Sequence, residues 1–435
     1  MTDARRAAAE ICADLRRGEL LDPAFEARGH GLDSRDRRWL QELLFGMLRR
    51  RAALDAVLAP RVTGGLGRLD ADVVDLLRLG ADQLLHMNSV PAYAAIAQTV
   101  ELVKQRHGLG ASRLANAVLR RIDREREALG VEQPTDPVEA LALEHSHPRW
   151  LVARWVGRWG AEATARLLAA NNAEPPTLLR PYGIARAALA EQLDAAGLVT
   201  RECALVPGSL EIVSGPPLTT LAPYREGTFF VQDPGATLVT EYAGIPAGAR
   251  VADLCAAPGG KALELSRSAA VVIAADRSVL RAPRLAENIA RVHAANVFPV
   301  VADARHPAVR EVDAVLLDAP CSGTGTFRRH PDARWRLKPS DVAVMTALQR
   351  ALIRAAAAIV RPGGLLIYST CSIEPEENDA QVESFLADSG GAWTLEPPPA
   401  GAVPPAVLDA GRLRVLPQSH GVDGAFAARL RRSAS

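Results

Sequence analysis

The chain has 435 residues, with 51 Lys+Arg against 50 Asp+Glu for a formal net charge of +1, and 48% of it is hydrophobic. That length exceeds one compact core and predicts several domains, while the composition excludes a mainly disordered chain. A uniformly basic protein is excluded as well, so a nucleic-acid partner must be argued from local patches.

No apolar run approaches the roughly 20 residues that span a bilayer, and the opening MTDARRAAAE lacks the apolar core of a secretory signal. A cytoplasmic monomer with no membrane partner is expected. Five cysteines in such a chain predict free thiols rather than a disulfide framework. No CxxC or Cys/His cluster has zinc spacing. His145 and His147 read as a polar pair at a helix end, and no metal is expected. Lysine occurs only at Lys104, Lys261 and Lys338, the remaining positive charge being arginine, and Lys261 stands out once its surroundings are read.

Apolar residues recur at three-to-four spacing in Ala7–Leu15, Leu40–Leu58, Val73–His86, Ala92–Arg106 and Leu114–Ile122. Breaks fall at Gly29–Gly31, Thr63–Gly67 and Gly108–Gly110, so residues 1–130 predict an all-helical bundle. Arginines gather at Arg49–Arg51 and at Arg113, Arg120, Arg121, Arg124 and Arg126, either as a solvated helix face or as a contact for an RNA backbone. Residues 131–145, with Pro134 and Pro137, read as a connector. A helix over Trp150–Ala170 leads into a small α+β segment. That segment is extended at Thr177–Arg180, helical at Arg186–Ala196, and extended again at Leu210–Val213 and Thr228–Val231. Connector, helix and segment fill 131–232.

From 233 to 435 strands and helices alternate. Short apolar strands are predicted at Arg250–Leu254, Val271–Ala275, Val297–Ala302, Ala314–Leu317 and Leu365–Tyr368. Helices over Gly260–Arg267, Val279–Ala294 and Asp341–Val360 separate them, the pattern of a parallel sheet covered on both faces. Arg412–Leu416 and Ala425–Arg431 add an antiparallel hairpin, for seven strands, and Leu395–Pro405 reads as a proline-rich surface loop.

In such a sheet, ligands bind outside the carboxyl ends of the strands. The first strand runs into Asp253-Leu254-Cys255-Ala256-Ala257-Pro258-Gly259-Gly260-Lys261, whose glycines permit close backbone approach and whose following helix offers free N–H groups. The second ends in Asp276, suited to ribose hydroxyls, and the third in Asp303, suited to an adenine amino group. The loop is neither a P-loop nor a GxGxxG fingerprint, because Cys255 and Ala262 stand where those motifs need other residues. Three acidic strand ends in succession point to an adenosine-containing cofactor.

The fourth strand ends in Asp318-Ala319-Pro320-Cys321-Ser322-Gly323-Thr324-Gly325 and the fifth in Tyr368-Ser369-Thr370-Cys371-Ser372. Adjacent strands lie about 5 Å apart, which puts both thiols on one rim. Cys12 and Cys203 read as small core residues and Cys255 as part of the cofactor loop. Beyond Cys321, the stretch from Phe327 to Lys338 sets five arginines and lysines against one aspartate, with Phe327 and Trp335 interleaved. That is the composition of a single-stranded nucleic-acid contact.

With Phe230-Val231-Gln232-Asp233-Pro234, DLCAAPGGK, DAPCSGTG followed by RRHPDARW, and YSTCSIEPEEN, residues 230–378 resemble the Nop/Sun family of RNA cytosine-C5 methyltransferases. The resemblance implies S-adenosyl-L-methionine as cofactor, contacted by Cys255, Ala256, Ala257, Pro258, Gly259, Gly260, Lys261, Asp276, Asp303 and Asp318. It implies Cys371 as nucleophile on carbon 6 of the base and Cys321 as the thiol that promotes release, with Asp318 shared with the base. Thiolate attack at carbon 6 turns carbon 5 into a nucleophile, Lys261 would favour the thiolate, and Asp318 would hold ring nitrogen 3. The tail from His420 to Phe426 is similar to the family's closing hairpin, with Ala425 where a second aromatic is usual, and Ala262 replaces a usual threonine.

Through LANAVLRRI, residues 114–122, the N-terminal bundle resembles the NusB type of RNA-binding domain. The implied whole is multidomain: an all-α NusB-like bundle, a small α+β segment and a Rossmann-like α/β methyltransferase domain, acting on 16S ribosomal RNA or an assembling small subunit. The competing readings are a non-catalytic RNA-binding assembly factor, a tRNA or DNA cytosine-C5 methyltransferase, and a small-molecule methyltransferase. The last accounts for neither the paired cysteines nor the helical bundle. A base inside a helix would need extrusion, so a loop or junction target is expected.

Overall fold

A computed structural model describes residues 2–130 and 134–434. Spatially the chain falls into two units: residues up to Ala173 together with Arg329–Arg336, and Glu174–Arg328 together with Leu337–Ser435.

In the first unit the apolar spacing forms helices Asp3–Arg16, Leu21–Gly29, Ser34–Arg49, Arg51–Leu58, Ala71–His86 and Ala92–Arg124. Leu21–Gly29 escapes the sequence reading because its apolar residues form no stripe. The helix expected over 40–58 is interrupted at Arg50, which leaves helical geometry at φ −103° and ψ 9°. Gly108, at φ +80°, breaks the last helix where the sequence reading puts a break, a conformation that glycine adopts without steric cost. Leu40, Leu43, Leu44, Leu77, Val103, Leu119 and Ile122 make the core. A Cβ at Gly80 would lie 3.0 Å from Leu119 and Thr99, so this glycine sets the packing of Ala71–His86 on Ala92–Arg124. Of the expected connector 131–145, residues 131–133 lie outside the described residues, and the rest includes a helix, Pro137–Glu144. Arg149–Asn172 follows, bent at Gly160.

The second unit contains two sheets. The smaller comprises β1 (Leu178–Pro181), β2 (Val199–Glu202), β3 (Leu210–Ser214) and β4 (Phe229–Val231), antiparallel in the order β2-β3-β1-β4, with helix Arg186–Ala195 between β1 and β2. β2, with little hydrophobic alternation, is the strand the sequence does not announce.

The larger sheet holds β5 (Arg250–Asp253), β6 (Val271–Asp276), β7 (Val297–Val301), β8 (Val312–Asp318) and β9 (Val360–Thr370), followed by β10 (Trp393–Leu395), β11 (Leu408–Asp409), β12 (Arg412–Val415) and β13 (Ala425–Arg432). Its order is β11-β12-β13-β9-β8-β5-β6-β7, with β10 on β13. Strands β5 to β9 are parallel to one another, and β13 lies antiparallel on β9. The expected five parallel strands and terminal hairpin form the seven-stranded core, to which the short β10 and β11 are added. Near-continuous burial of Val251–Asp253, Ala314–Leu317 and Leu365–Thr370 reflects helices on both faces. Parallel pairing aligns the carboxyl ends: Asp253 is level with Leu316, Asp276 with Val301, and Asp318 with Ser369. Among the described residues, no helix is long and apolar enough to cross a membrane.

Candidate active site

The loop after β5 is pinned to the end of β6. Ala256 N–H donates to the Ala275 carbonyl at 2.9 Å, and Ala257 N–H to Asp276 Oδ2 at 3.2 Å. Gly259 turns it at φ +111° into the helix Gly260–Leu265, which carries Lys261. Lys261 Nζ donates to Asp318 Oδ2 at 2.7 Å, and Ser369 Oγ donates to Asp318 Oδ1 at 2.8 Å. Burial works against the Lys261 charge, but the Asp318 carboxylate outweighs it and the ammonium is held above its ordinary pKa. The lysine that follows the β5 loop thus reaches across to the end of β8.

The two cysteines meet: Cys321 Sγ and Cys371 Sγ are 3.3 Å apart, both half-buried and both free thiols. The hydrogen bond to Cys371, followed by burial, pushes Cys321 well above an ordinary thiol, which keeps it neutral. A close approach of the two turns makes this possible. Gly325 N–H donates to the Cys371 carbonyl at 3.0 Å, and a Cβ at Gly325 would lie 2.6 Å from that oxygen.

Behind the thiols lies a polar network whose chemical part the sequence reading leaves unassigned. Glu377, fully buried, accepts the Ser322 N–H at 2.8 Å and Gln349 Nε2 at 3.1 Å through Oε1. Its Oε2 accepts the hydroxyls of Ser322 and Ser372. Asn378 takes the Thr370 hydroxyl at 2.6 Å and donates to the Ser372 carbonyl at 2.8 Å. The family motif YSTCSIEPEEN contains both residues, and its buried acid was the available signal.

Asp276 and Asp303 line one narrow slot with the apolar side chains of Leu254, Ala304, Pro320, Leu348 and Leu352. Asp276 Oδ1 also accepts Ser278 N–H at 2.9 Å and Arg281 Nη2 at 3.0 Å. Asp303 is held by Arg305, which depresses its pKa to about 2. Cys255 also borders the slot, and burial with the neighbouring Asp253 keeps its thiol protonated. Asp253 is 1% exposed, and neither carboxylate oxygen has a hydrogen-bond partner among the described residues. Burial and the charge of Asp318 push it up to about 7. The sequence offered a hint, since Asp253 is a fourth acid at a strand end.

The basic and aromatic stretch after Cys321 is not a solvent-facing stacking strip. Phe327 and Arg334 are fully buried, and Arg328 donates to the Gly421 carbonyl at 2.6 Å. Arg334 donates to Asn172 Oδ1 at 2.7 Å and the Asn171 carbonyl at 2.9 Å, and Trp335 Nε1 to the Leu48 carbonyl at 2.8 Å. Local composition is the same for a platform and a packed key; here Phe327, Arg328 and Arg334 pack, while Arg336 and Lys338 stay exposed and Trp335 is half-buried. Arg49–Arg51 divides similarly: Arg50 is paired with fully buried Asp82 at 2.7 and 2.9 Å. Arg113, Arg120, Arg121, Arg124 and Arg126 are exposed. His147 is buried, its Nδ1 2.8 Å from the His145 carbonyl, and among the described residues no cluster could hold a metal ion.

A parallel core with an antiparallel final strand pair, a narrow acid-lined slot at the strand ends and paired thiols on neighbouring strand ends define a Rossmann-like methyltransferase domain. Residues 246–431 match the family described as 16S rRNA methyltransferase RsmB/F, 2–124 the NusB family and 147–219 the RsmF/B-like ferredoxin-like domain. The probable ribosomal RNA small subunit methyltransferase B of Synechocystis is 34% identical, covering 100% of both chains. The ribosomal RNA small subunit methyltransferase B of Pseudomonas syringae pv. tomato is 35% identical over 98% of this chain and 96% of that one. The crystal structure of PH0851 superposes with a TM-score of 0.83 at 26% identity, covering 99% of this chain and 98% of that one. The chain belongs to the 16S rRNA methyltransferase RsmB/F family.

Proposed function

We propose that this protein methylates carbon 5 of a cytosine in 16S ribosomal RNA, through a covalent bond between Cys371 and carbon 6. The observation that carries the reading is the 3.3 Å approach of Cys321 and Cys371 at the ends of adjacent parallel strands. S-adenosyl-L-methionine, when bound, supplies an electrophilic methyl group. The narrow slot bounded by Asp276 and Asp303, and the unpaired carboxylate of Asp253 on the neighbouring strand, fit its nucleoside and ammonium ends. Asp276 would take the ribose and Asp303 the adenine amino group, each exchanging an arginine partner for the ligand. The loop Cys255, Ala256, Ala257, Pro258, Gly259, Gly260 and Lys261 would hold the remainder with Asp318.

Cys371 Sγ adds to carbon 6 as a proton delivered by Asp318 comes to ring nitrogen 3, which leaves an enamine whose electron pair is available at carbon 5. Lys261 fixes Asp318 and adds positive potential beside the thiolate. Neutral Cys321 assists the reverse step, in which loss of the carbon-5 proton expels Cys371. We assign RNA binding to the NusB-like bundle, 1–130, and the α+β segment, 131–232, and chemistry to 233–435, in a cytoplasmic monomer acting on RNA or an assembling small subunit.

The test mixes wild type, Cys371→Ala and Cys321→Ala with labelled cofactor and unmodified 16S RNA, resolved on a denaturing gel. Loss of transfer in Cys371→Ala with a covalent protein–RNA band in Cys321→Ala is expected. The opposite pattern reverses the roles, and no transfer by wild type removes the reading.

A further inference from the structure

A cavity in the first unit is lined by both apolar and charged side chains. It measures about 550 Å³, within the range typical of small-ligand pockets. One wall is apolar, with Met47, Leu66, Leu69 and Val74. The segment after the Cys321 turn also lines it, with Asp332, Trp335 and Arg336. Four arginines and three aspartates line it, and most cancel. Arg16 is tied to Asp75, Arg78 to Asp55 and Asp75, and Arg336 to Asp332.

Two groups are left over. Arg51 forms no ion pair with a carboxylate of the described residues, and its guanidinium instead stands 5.2 Å from the centre of the Trp335 ring. Burial and repulsion from Arg78 pull its pKa below that of an ordinary guanidinium, a burden that an anion would relieve. Asp332, also buried, keeps one oxygen with no hydrogen-bond donor. The Trp335 ring is fixed by its bond to the Leu48 carbonyl and forms part of a set wall.

We infer that this cavity binds one nucleotide of single-stranded RNA. The phosphate meets Arg51, the base lies on the apolar wall beside Trp335, and an exocyclic amino group satisfies Asp332. The inference rests on the reading that RNA is the substrate. An acidic peptide side chain would supply the anion but neither the flat apolar body nor the N–H donor, so the nucleotide fits all three features. Uracil lacks the amino group, so the site prefers cytosine or adenine to uracil.

The test measures binding of labelled oligocytidylate and oligouridylate to the full chain by anisotropy across a salt series, with an acidic, aromatic peptide as competitor. Wild type is compared with Arg51→Gln, Arg51→Lys and Asp332→Asn, each checked for an unchanged melting profile. Arg51→Gln is expected to weaken oligocytidylate binding about tenfold and to reduce the log–log salt slope by about 0.7, the contribution of one phosphate on a single strand. Arg51→Lys keeps the slope, and Asp332→Asn erases the preference over oligouridylate. Unchanged affinity and slope in a folded Arg51→Gln protein would overturn the site while leaving the RNA reading intact. Displacement of the oligonucleotide by the peptide would assign the cavity to a protein partner. Failure of wild type to bind either oligonucleotide would overturn both.

Discussion

Glu377 accepts the backbone N–H of Ser322 at 2.8 Å, and through the hydroxyls of Ser322 and Ser372 the same carboxylate holds both turns that carry the thiols. Each serine directly follows one cysteine, so Glu377 sets the distance between two groups it does not touch. Removing it leaves the Ser322 N–H without an acceptor, at about 1–3 kcal/mol, and takes from the Gln349 amide one of its two acceptors, the Pro320 carbonyl at 2.9 Å remaining. Displacing reacting atoms by an ångström costs on the order of a hundredfold in rate. Glu377→Ala is therefore expected to lower kcat by roughly ten- to a hundredfold, with KM for RNA within about twofold. Glu377→Gln, which keeps an acceptor for both N–H groups, should recover most of the rate. Unchanged kcat in folded Glu377→Ala would reduce the residue to ordinary packing.

Asp253 supplies a pH prediction. Burial, then the charge of Asp318, push its carboxyl up to about 7, with Lys261 offsetting only part; an exposed aspartate ionises near 3.9. Between those values the folded chain holds a proton that the unfolded chain has lost. Stability therefore falls as pH rises through this window and levels off above it. The full burden is at most about 4 kcal/mol. Asp253→Asn should match wild type in thermal midpoint near pH 4 and exceed it increasingly towards pH 8. A difference that does not change with pH would show that the carboxyl is already ionised at the acid end.

What the sequence made legible follows from the range of the interactions. Strands β5 to β9 announce themselves because parallel strands buried on both faces are short apolar runs, and the cysteines because each closes one of two neighbouring runs. Contacts between distant residues are another matter. Nothing around Arg50 says that it will pair with Asp82 rather than face RNA, and nothing around Arg334 says that Asn171 and Asn172 will bury it. Asp253, Asp276, Asp303 and Asp318 look alike in sequence as strand-end acids. Only the fold leaves Asp253 without a partner, gives Asp303 to Arg305 and joins Asp318 to Lys261. Leu21–Gly29 and β2 carry no strong periodic pattern to read, and β10 and β11 are too short to show one.

The burial of Arg334 makes its loss a matter of stability. Burial, then repulsion from Arg49, pulls the guanidinium down to about 9, and its planar donors serve both Asn172 Oδ1 and the Asn171 carbonyl. Arg334→Ala orphans these acceptors and opens a void, which should destabilise the first unit by about 3 kcal/mol. Arg334→Lys should rescue little, because an ammonium cannot reproduce the planar fork. Differential scanning calorimetry reads the first effect and RNA affinity per folded molecule the second, with the affinity expected within about twofold of wild type. An intact melting profile with lost RNA affinity would make Arg334 itself a nucleic-acid contact.

The cysteine pair should also report its own geometry. The sulfurs stand 3.3 Å apart, and a disulfide needs about 2.05 Å, so a modest turn of two side chains closes the gap. Diamide, taking up two electrons and two protons, should convert Cys321 and Cys371 to a disulfide with loss of two hydrogens from the protein and of all methyl transfer, and dithiothreitol should restore both. Cys12 and Cys203 are buried and Cys255 is held protonated, so they should react far more slowly. Intact-mass and peptide mapping after alkylation of the remaining thiols distinguish the pairs. Glu377→Ala, by loosening the two turns, should change the rate of this closure as well as kcat. If oxidation instead captures Cys255 first, or leaves transfer intact, the two thiols do not share the site in solution.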